Sequence, residues 1–310
     1  MTSNALPALP MTALLAAALR ARETARPHPR VIDVDAARLA GPEGFEVLEG
    51  LQREVPEAAG FEMMISRTQY FDGELRRLLA GEKDEAVQVV KLGAGMDTRE
   101  RRLGLPHRIV FFEVDDPRVL TLKQRRLAGA AGSSGTSGVG DGHCVAVALD
   151  LARESLSIKL PGAGFDPYTP TIWIAEGLLL YLEERVVHRI LDDVSSLSPP
   201  GSWCMADLVP AAALSSPASA HLRAVFEKWG APLLFGTADP AALFAMHGWE
   251  VEVVELLSLV LGEGQSESEE GQMIRGGYVV TARRSTSPYV PRTAAPAADS
   301  ATSSRAGTSP

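Results

Sequence analysis

Short β-branched or aromatic runs alternate along this chain with stretches of helical spacing, and that alternation leaves it few folds to adopt. The runs occupy residues 87–92 (VQVVKL), 109–112 (IVFF), 145–149 (VAVAL), 171–175 (TIWIA) and 203–208 (WCMADL). Each is short and largely apolar, as strands buried on both faces are. Between them the spacing turns helical. Residues 61–79 carry Phe61, Met64, Ile65, Phe71, Leu75, Leu78 and Leu79 on one stripe, and residues 117–127 and 183–197 follow the second and fourth runs. Strands alternating with helices predict βαβ units and a mostly parallel sheet covered on both faces. Asp239-Pro240 supplies an N-cap and a first-turn proline for a helix running to His247. Residues 250–256 and 277–283 complete a doubly wound, seven-stranded α/β sheet whose last strand is antiparallel.

Composition sets the boundaries. Residues 285–310 are mostly Ser, Thr, Ala and Pro, and such a segment cannot offset its ordering entropy, so a disordered tail is expected there. Residues 129–142 (GAAGSSGTSGVGDG) read as a flexible loop, and residues 262–271 (GEGQSESEEG) as a second, acidic one. A single domain over residues 1–284, with a helical lid over about 1–80, accounts for the rest. Thirty basic residues against thirty-nine acidic give a net charge of -9, which disfavours a nucleic-acid partner. No run approaches the roughly 18–20 apolar residues of a membrane span, and no secretory leader is recognisable, so a cytoplasmic protein without a membrane partner is expected. Cys144 and Cys204 form no CxxC, and the histidines never fall at ligand spacing, so no metal is expected.

In a doubly wound sheet, ligands bind beyond the carboxyl ends of the strands, so chemistry is sought there. The first strand is followed by Gly93-Ala94-Gly95-Met96-Asp97-Thr98, and Asp115 lies 20 positions beyond Gly95. That is the offset at which a carboxylate accepts hydrogen bonds from an adenosine ribose. A helix N-cap beside Pro117 is the ordinary alternative for Asp115. A dinucleotide site calls for a third glycine where this chain has Thr98, because the pyrophosphate needs a helix N-terminus packed close behind it. S-adenosylmethionine carries no phosphate and needs only close backbone approach, a ribose acceptor and charged partners for its amino-acid end. The broken fingerprint favours S-adenosylmethionine, with an NAD-dependent oxidoreductase as the alternative from another class.

The segments QVVKLGAGMDTR (88–99), FEVD (112–115), AEGLLLYL (175–182) and RTQYFD (67–72) together resemble the leucine carboxyl methyltransferase family. That family includes bacterial members acting on carboxyl groups of polyketide-type natural products. The resemblance implies a class I methyltransferase fold and S-adenosyl-L-methionine as cofactor. It assigns Arg67 to the methionine carboxylate of the cofactor, and Gly93, with the loop Ala94, Gly95 and Asp97, to backbone approach. It assigns Asp115 to the ribose, Asp150 and Leu151 to the adenine region, and Glu176 to the cofactor's amino end. Tyr181 is its candidate for the acceptor side. Taken alone, Asp150 would cap the following helix, Arg67 would be a surface charge, Glu176 a strand-end turn residue and Tyr181 a half-buried core tyrosine. The chain departs from the natural-product branch at Asp33-Val34, where an Asp-Pro is frequent, and in the glycine-rich insertion before the third strand.

The acceptor follows from proton accounting. A carboxylate is already ionised at neutral pH, whereas a phenol or alcohol usually needs a general base, commonly histidine. None of the strand-end segments contains a histidine, which favours a small-molecule carboxylate acceptor. His221 and His247 of the C-terminal part keep the phenol alternative open, as the family's eukaryotic branch does for a protein C-terminal carboxylate.

Overall fold

A computed structural model describes residues 10–54, 59–81, 87–106, 109–128, 144–261 and 277–285. Seven strands form one sheet: β1 (Gln88–Leu92), β2 (Val110–Asp115), β3 (Cys144–Ala148), β4 (Thr171–Ala175), β5 (Trp203–Leu208), β6 (Trp249–Glu255) and β7 (Tyr278–Arg284). Their order is β3-β2-β1-β4-β5-β7-β6. The first five strands run parallel, and β7 lies antiparallel between β5 and β6. The expected architecture is the observed one. β1 and β4 are buried along their whole length, as central strands with both faces covered must be. They are neighbours, and the chain leaves them toward opposite halves of the sheet, so the crevice lies beyond their carboxyl ends.

Ten α-helices accompany the sheet among the described residues: α1 (Met11–Thr24), α2 (Ala36–Glu54), α3 (Ala59–Gly81), α4 (Arg99–Arg102), α5 (Pro117–Ala128), α6 (Leu156–Gly162), α7 (Glu184–Ser196), α8 (Ala220–Lys228), α9 (Pro240–Ala245) and α10 (Ser258–Leu261). The Asp239 side chain accepts the Ala242 N–H at 2.8 Å, so the Asp-Pro pair opens α9 as its chemistry requires, although the helix stops at Ala245. Sequence periodicity predicted α3, α5 and α7 within a few residues of their observed ends. It did not single out α2 or α8.

The N-terminal helices matter because of where they pack. Leu14, Leu15, Ala18, Leu39 and Leu48 of α1 and α2 form one apolar cluster with Met96 beyond β1, Val119 of α5 and Val225 of α8. Arg20 of α1 is buried. It donates from Nη2 to the Met96 carbonyl at 2.5 Å and pairs with Asp33 at 2.9 Å. These bonds seat α1 on the loop that follows the first strand. No helix of the described residues is long and apolar enough to cross a membrane. The segments 129–142 and 262–271, and the tail beyond Ser285, lie outside the described residues.

Candidate active site

The carboxyl ends of β1, β2 and β4 open into a cavity of about 410 Å³ roofed by α1, α3 and α8. The volume is in the ordinary range for a small-molecule site. Gly93, Ala94, Gly95 and Asp97 line it from the loop after β1. Asp115 lines it from β2, Glu176 and Tyr181 from the segment after β4, and Arg67 from α3. The structure therefore brings together eight of the ten residues singled out in the sequence. Asp150 and Leu151 are the two it does not bring to this wall. The Asp150 carboxylate accepts the Ala152 N–H at 2.9 Å, capping the turn after β3, and Leu151 is buried with its carbonyl accepting from Arg189.

Asp115, at the end of β2, is a half-buried carboxylate on the cavity wall. One oxygen accepts the Gly95 N–H at 2.6 Å and the other the Asp116 N–H at 2.7 Å. Gly95 has φ of 50°, and a Cβ there would sit 3.3 Å from the Ala13 Cβ of α1, so glycine serves both the turn and the close passage of the roof. Burial pushes the Asp115 carboxyl up to about 6, against the opposing pull of the two N–H donors.

Across the cavity, Arg67 faces two carboxylates. Its Nε donates to Glu176 at 3.1 Å and its Nη1 to Asp207 at 2.9 Å. Burial alone would depress the guanidinium, but Asp207 and Glu176 more than offset that and hold it charged. Glu176 also meets the buried Arg99 at 2.6 Å. Burial would raise the Glu176 carboxyl; Arg99, then Arg67, instead hold it down to about 2. Arg99 further binds Asp72 at 2.7 Å and Asp97 at 3.2 Å, and Asp97 reaches Lys91 at 3.4 Å. The cavity floor is thus a connected lattice of opposite charges, as buried ions require. Glu100, Glu113 and Cys144 cluster behind it, but the Lys91 ammonium is already paired with both carboxylates, so a metal ion would have to displace it.

The other half of the cavity is apolar. Leu51 of α2, Met63 and Met64 of α3, Leu180, and Leu222 and Phe226 of α8 line it together with Tyr181. The Tyr181 ring stacks on Phe226 with centroids 6.2 Å apart, and Phe226 in turn meets Trp229 at 5.3 Å. The Tyr181 hydroxyl has no hydrogen-bond partner among the described residues, and burial raises its pKa above the phenolic range, so it is a donor rather than a base. No histidine is among the described lining residues. His247 is buried elsewhere, its ring bonded to His188 at 2.9 Å and Asp192 at 2.8 Å, and His221 bonds the Glu54 carbonyl at 2.9 Å. Sequence reasoning missed Arg99, Asp207, Leu222 and Phe226. An acidic residue near the end of the fifth strand was a signal available for Asp207; the apolar residues of α8 offered none.

A family model described as leucine carboxyl methyltransferase matches residues 13–195, which contain the first four strands and every charged residue that lines the cavity. The chain belongs to the leucine carboxyl methyltransferase family. It is 39% identical over 200 residues to a protein of Mycolicibacterium smegmatis provisionally named an S-adenosyl-L-methionine-dependent methyltransferase, a match covering 62% of this chain and 64% of that one. A relative of the same name in Saccharopolyspora erythraea is 33% identical over 291 residues, covering 88% of this chain and 95% of the other. A crystal structure of a provisionally assigned methyltransferase from Thermobifida fusca superposes with a TM-score of 0.60 at 17% identity, covering 89% of this chain and 95% of that one, and so shares the fold. This family member is accordingly an S-adenosyl-L-methionine-dependent methyltransferase, and its donor set fits that cofactor. Asp115 keeps lone pairs for a ribose diol, while Arg67 and Glu176 offer opposite charges to an amino-acid end.

Proposed function

We propose that this methyltransferase methylates the carboxylate of a small molecule with an apolar body. The observation that carries the reading is the absence of a histidine from the described lining of the cavity, beside a tyrosine whose hydroxyl is held protonated. When bound, S-adenosyl-L-methionine supplies an activated methyl group on a sulfonium centre. The protein's task is then to strip water from the acceptor oxygen and hold it in line. The apolar half of the cavity does the first. The Tyr181 hydroxyl, donating to one acceptor oxygen, leaves the other free to attack.

No proton has to leave a carboxylate in that reaction, so no base is required. The carboxylates in the cavity make poor bases in any case: Glu176 is held down to about 2, and Asp97 well below its ordinary value, by Arg99 among others. Asp115, up at about 6, already accepts the Gly95 and Asp116 N–H groups and in this reading serves the ribose instead of the acceptor. The bacterial natural-product branch, to which the sequence motifs are similar, supports the same acceptor class. A test is methyl transfer from labelled S-adenosyl-L-methionine to a panel of apolar carboxylic acids and their phenol counterparts. Turnover of phenols alone would reject the carboxylate reading.

A further inference from the structure

We propose that Asp207, a residue outside the cavity wall, positions Arg67 and the Gly177 turn so that Arg67 presents its free edge to the carboxylate of the cofactor's methionine end. The inference rests on the reading that Arg67 and Glu176 receive that end. Asp207 lies one residue from the end of β5, on the strand beside β4, and is 4% exposed. Its two oxygens serve two different elements. Oδ2 accepts Arg67 Nη1 of α3 at 2.9 Å, and Oδ1 accepts the Gly177 N–H after β4 at 2.5 Å.

Both partners are thereby fixed relative to one another, and the contact between them is tight. Gly177 has φ of 64°, and a Cβ at that position would stand 3.2 Å from Arg67 Nη2, so the guanidinium lies against a backbone that glycine alone keeps clear. Arg67 uses Nε on Glu176 and Nη1 on Asp207, while Nη2 makes no hydrogen bond among the described residues. A guanidinium is a rigid planar fork, so anchoring two of its nitrogens fixes the direction of the third. Glu176 alone could not do this, because it is shared with Arg99 and Thr68. Asp207 touches neither the cavity nor, through it, a ligand; it acts by aiming a residue that does.

The test compares two ligands in calorimetry on the full chain: S-adenosylhomocysteine, which has the amino-acid end, and 5′-methylthioadenosine, which lacks it. The wild type is expected to bind S-adenosylhomocysteine more tightly. Asp207→Asn keeps an acceptor for Gly177 but removes the charge that holds Arg67. It should weaken S-adenosylhomocysteine binding by roughly ten- to a hundredfold, the range for a charged hydrogen bond, and leave 5′-methylthioadenosine within about twofold. A merely structural role would weaken both ligands alike, and that result overturns the proposal, as does unchanged S-adenosylhomocysteine binding. Gly177→Ala, which presses on the guanidinium from the other side, should give the same selective loss and decides the matter if the Asn variant does not fold; equal binding of S-adenosylhomocysteine there also overturns it. A wild type that binds the two ligands equally would instead reject the placement of the methionine end, and the proposal with it.

Discussion

Asp115 Oδ2 accepts the backbone N–H of Gly95 at 2.6 Å, and this bond ties the end of β2 to the glycine loop after β1. The spacing of 20 residues visible in the sequence is thus a direct contact. Its second oxygen takes the Asp116 N–H, which leaves two of a carboxylate's roughly four acceptor positions for a ribose. Because burial pushes this carboxyl up to about 6, the free protein offers an ionised acceptor only above that pH.

Cofactor affinity should therefore be level between about pH 7 and 8 and fall as pH drops through about 6, where Asp115 takes up its proton. Asp115→Ala should weaken S-adenosylhomocysteine binding by about 1.5–3 kcal/mol at pH 8, the cost of losing hydrogen bonds to a charged acceptor, and should flatten that pH dependence. Calorimetry across the pH series measures both. Unchanged affinity in a folded variant would remove Asp115 from the ribose.

Arg99 is a stability residue as much as a site residue. It is buried among Asp72, Asp97 and Glu176, so Arg99→Leu leaves three carboxylates short of a partner. A loss of about 3–5 kcal/mol in denaturant unfolding is expected. The sign of the pH effect follows from the lowered carboxyl groups. Glu176, at about 2, contributes stability above its unfolded value of roughly 4 that is lost as pH falls toward about 2. The wild type should therefore lose stability steeply across that acid window and the Arg99→Leu variant less so, as circular dichroism in denaturant would record.

What the sequence made legible follows from how few residue types can do a given job. A strand buried on both faces is mostly apolar, so β4 was found at its observed limits. A positive-φ loop under a helix must be glycine, and a ribose acceptor must be acidic, so Gly95 and Asp115 stood out. The apolar half of the cavity was illegible because Leu222, Phe226 and Met63 are apolar residues at helical spacing, and the same pattern would serve a core. Only the tertiary placement of α8 against Tyr181 turns them into a wall. Asp150 shows the converse: a strand-end acid that the structure uses to cap a turn.

Phe226 and Tyr181 should separate binding from chemistry. Phe226→Ala removes the ring on which Tyr181 stacks, along with apolar surface of the acceptor half. The acceptor KM should rise about tenfold or more while S-adenosylhomocysteine affinity stays within about twofold, the range expected for losing an aromatic contact of 1.5–3 kcal/mol. Steady-state kinetics on an identified acceptor, together with calorimetry, checks the split. Equal loss of cofactor binding would mean that α8 supports the whole cavity rather than its acceptor half.

The nucleophile is decided by the pH dependence of turnover with cofactor and acceptor both saturating. A carboxylate acceptor is ionised well below neutrality, and Tyr181 keeps its proton far above it, so kcat should stay flat from about pH 6 to 8. Tyr181→Phe should lower kcat/KM by about ten- to a hundredfold, the worth of one hydrogen bond to a charged acceptor. Replacing His221 or His247 should cost far less than the hundredfold or more that loss of a general base brings, because their ring nitrogens bond Glu54, and His188 and Asp192. His247 is buried, so its loss should be felt in thermal stability, not in turnover at a temperature where the variant is folded. A phenol acceptor demands the reverse pattern: a rate that climbs with pH through a single ionisation and collapses with one histidine. That outcome would require a base to enter the cavity from beyond its described lining, and the carboxylate reading would fall.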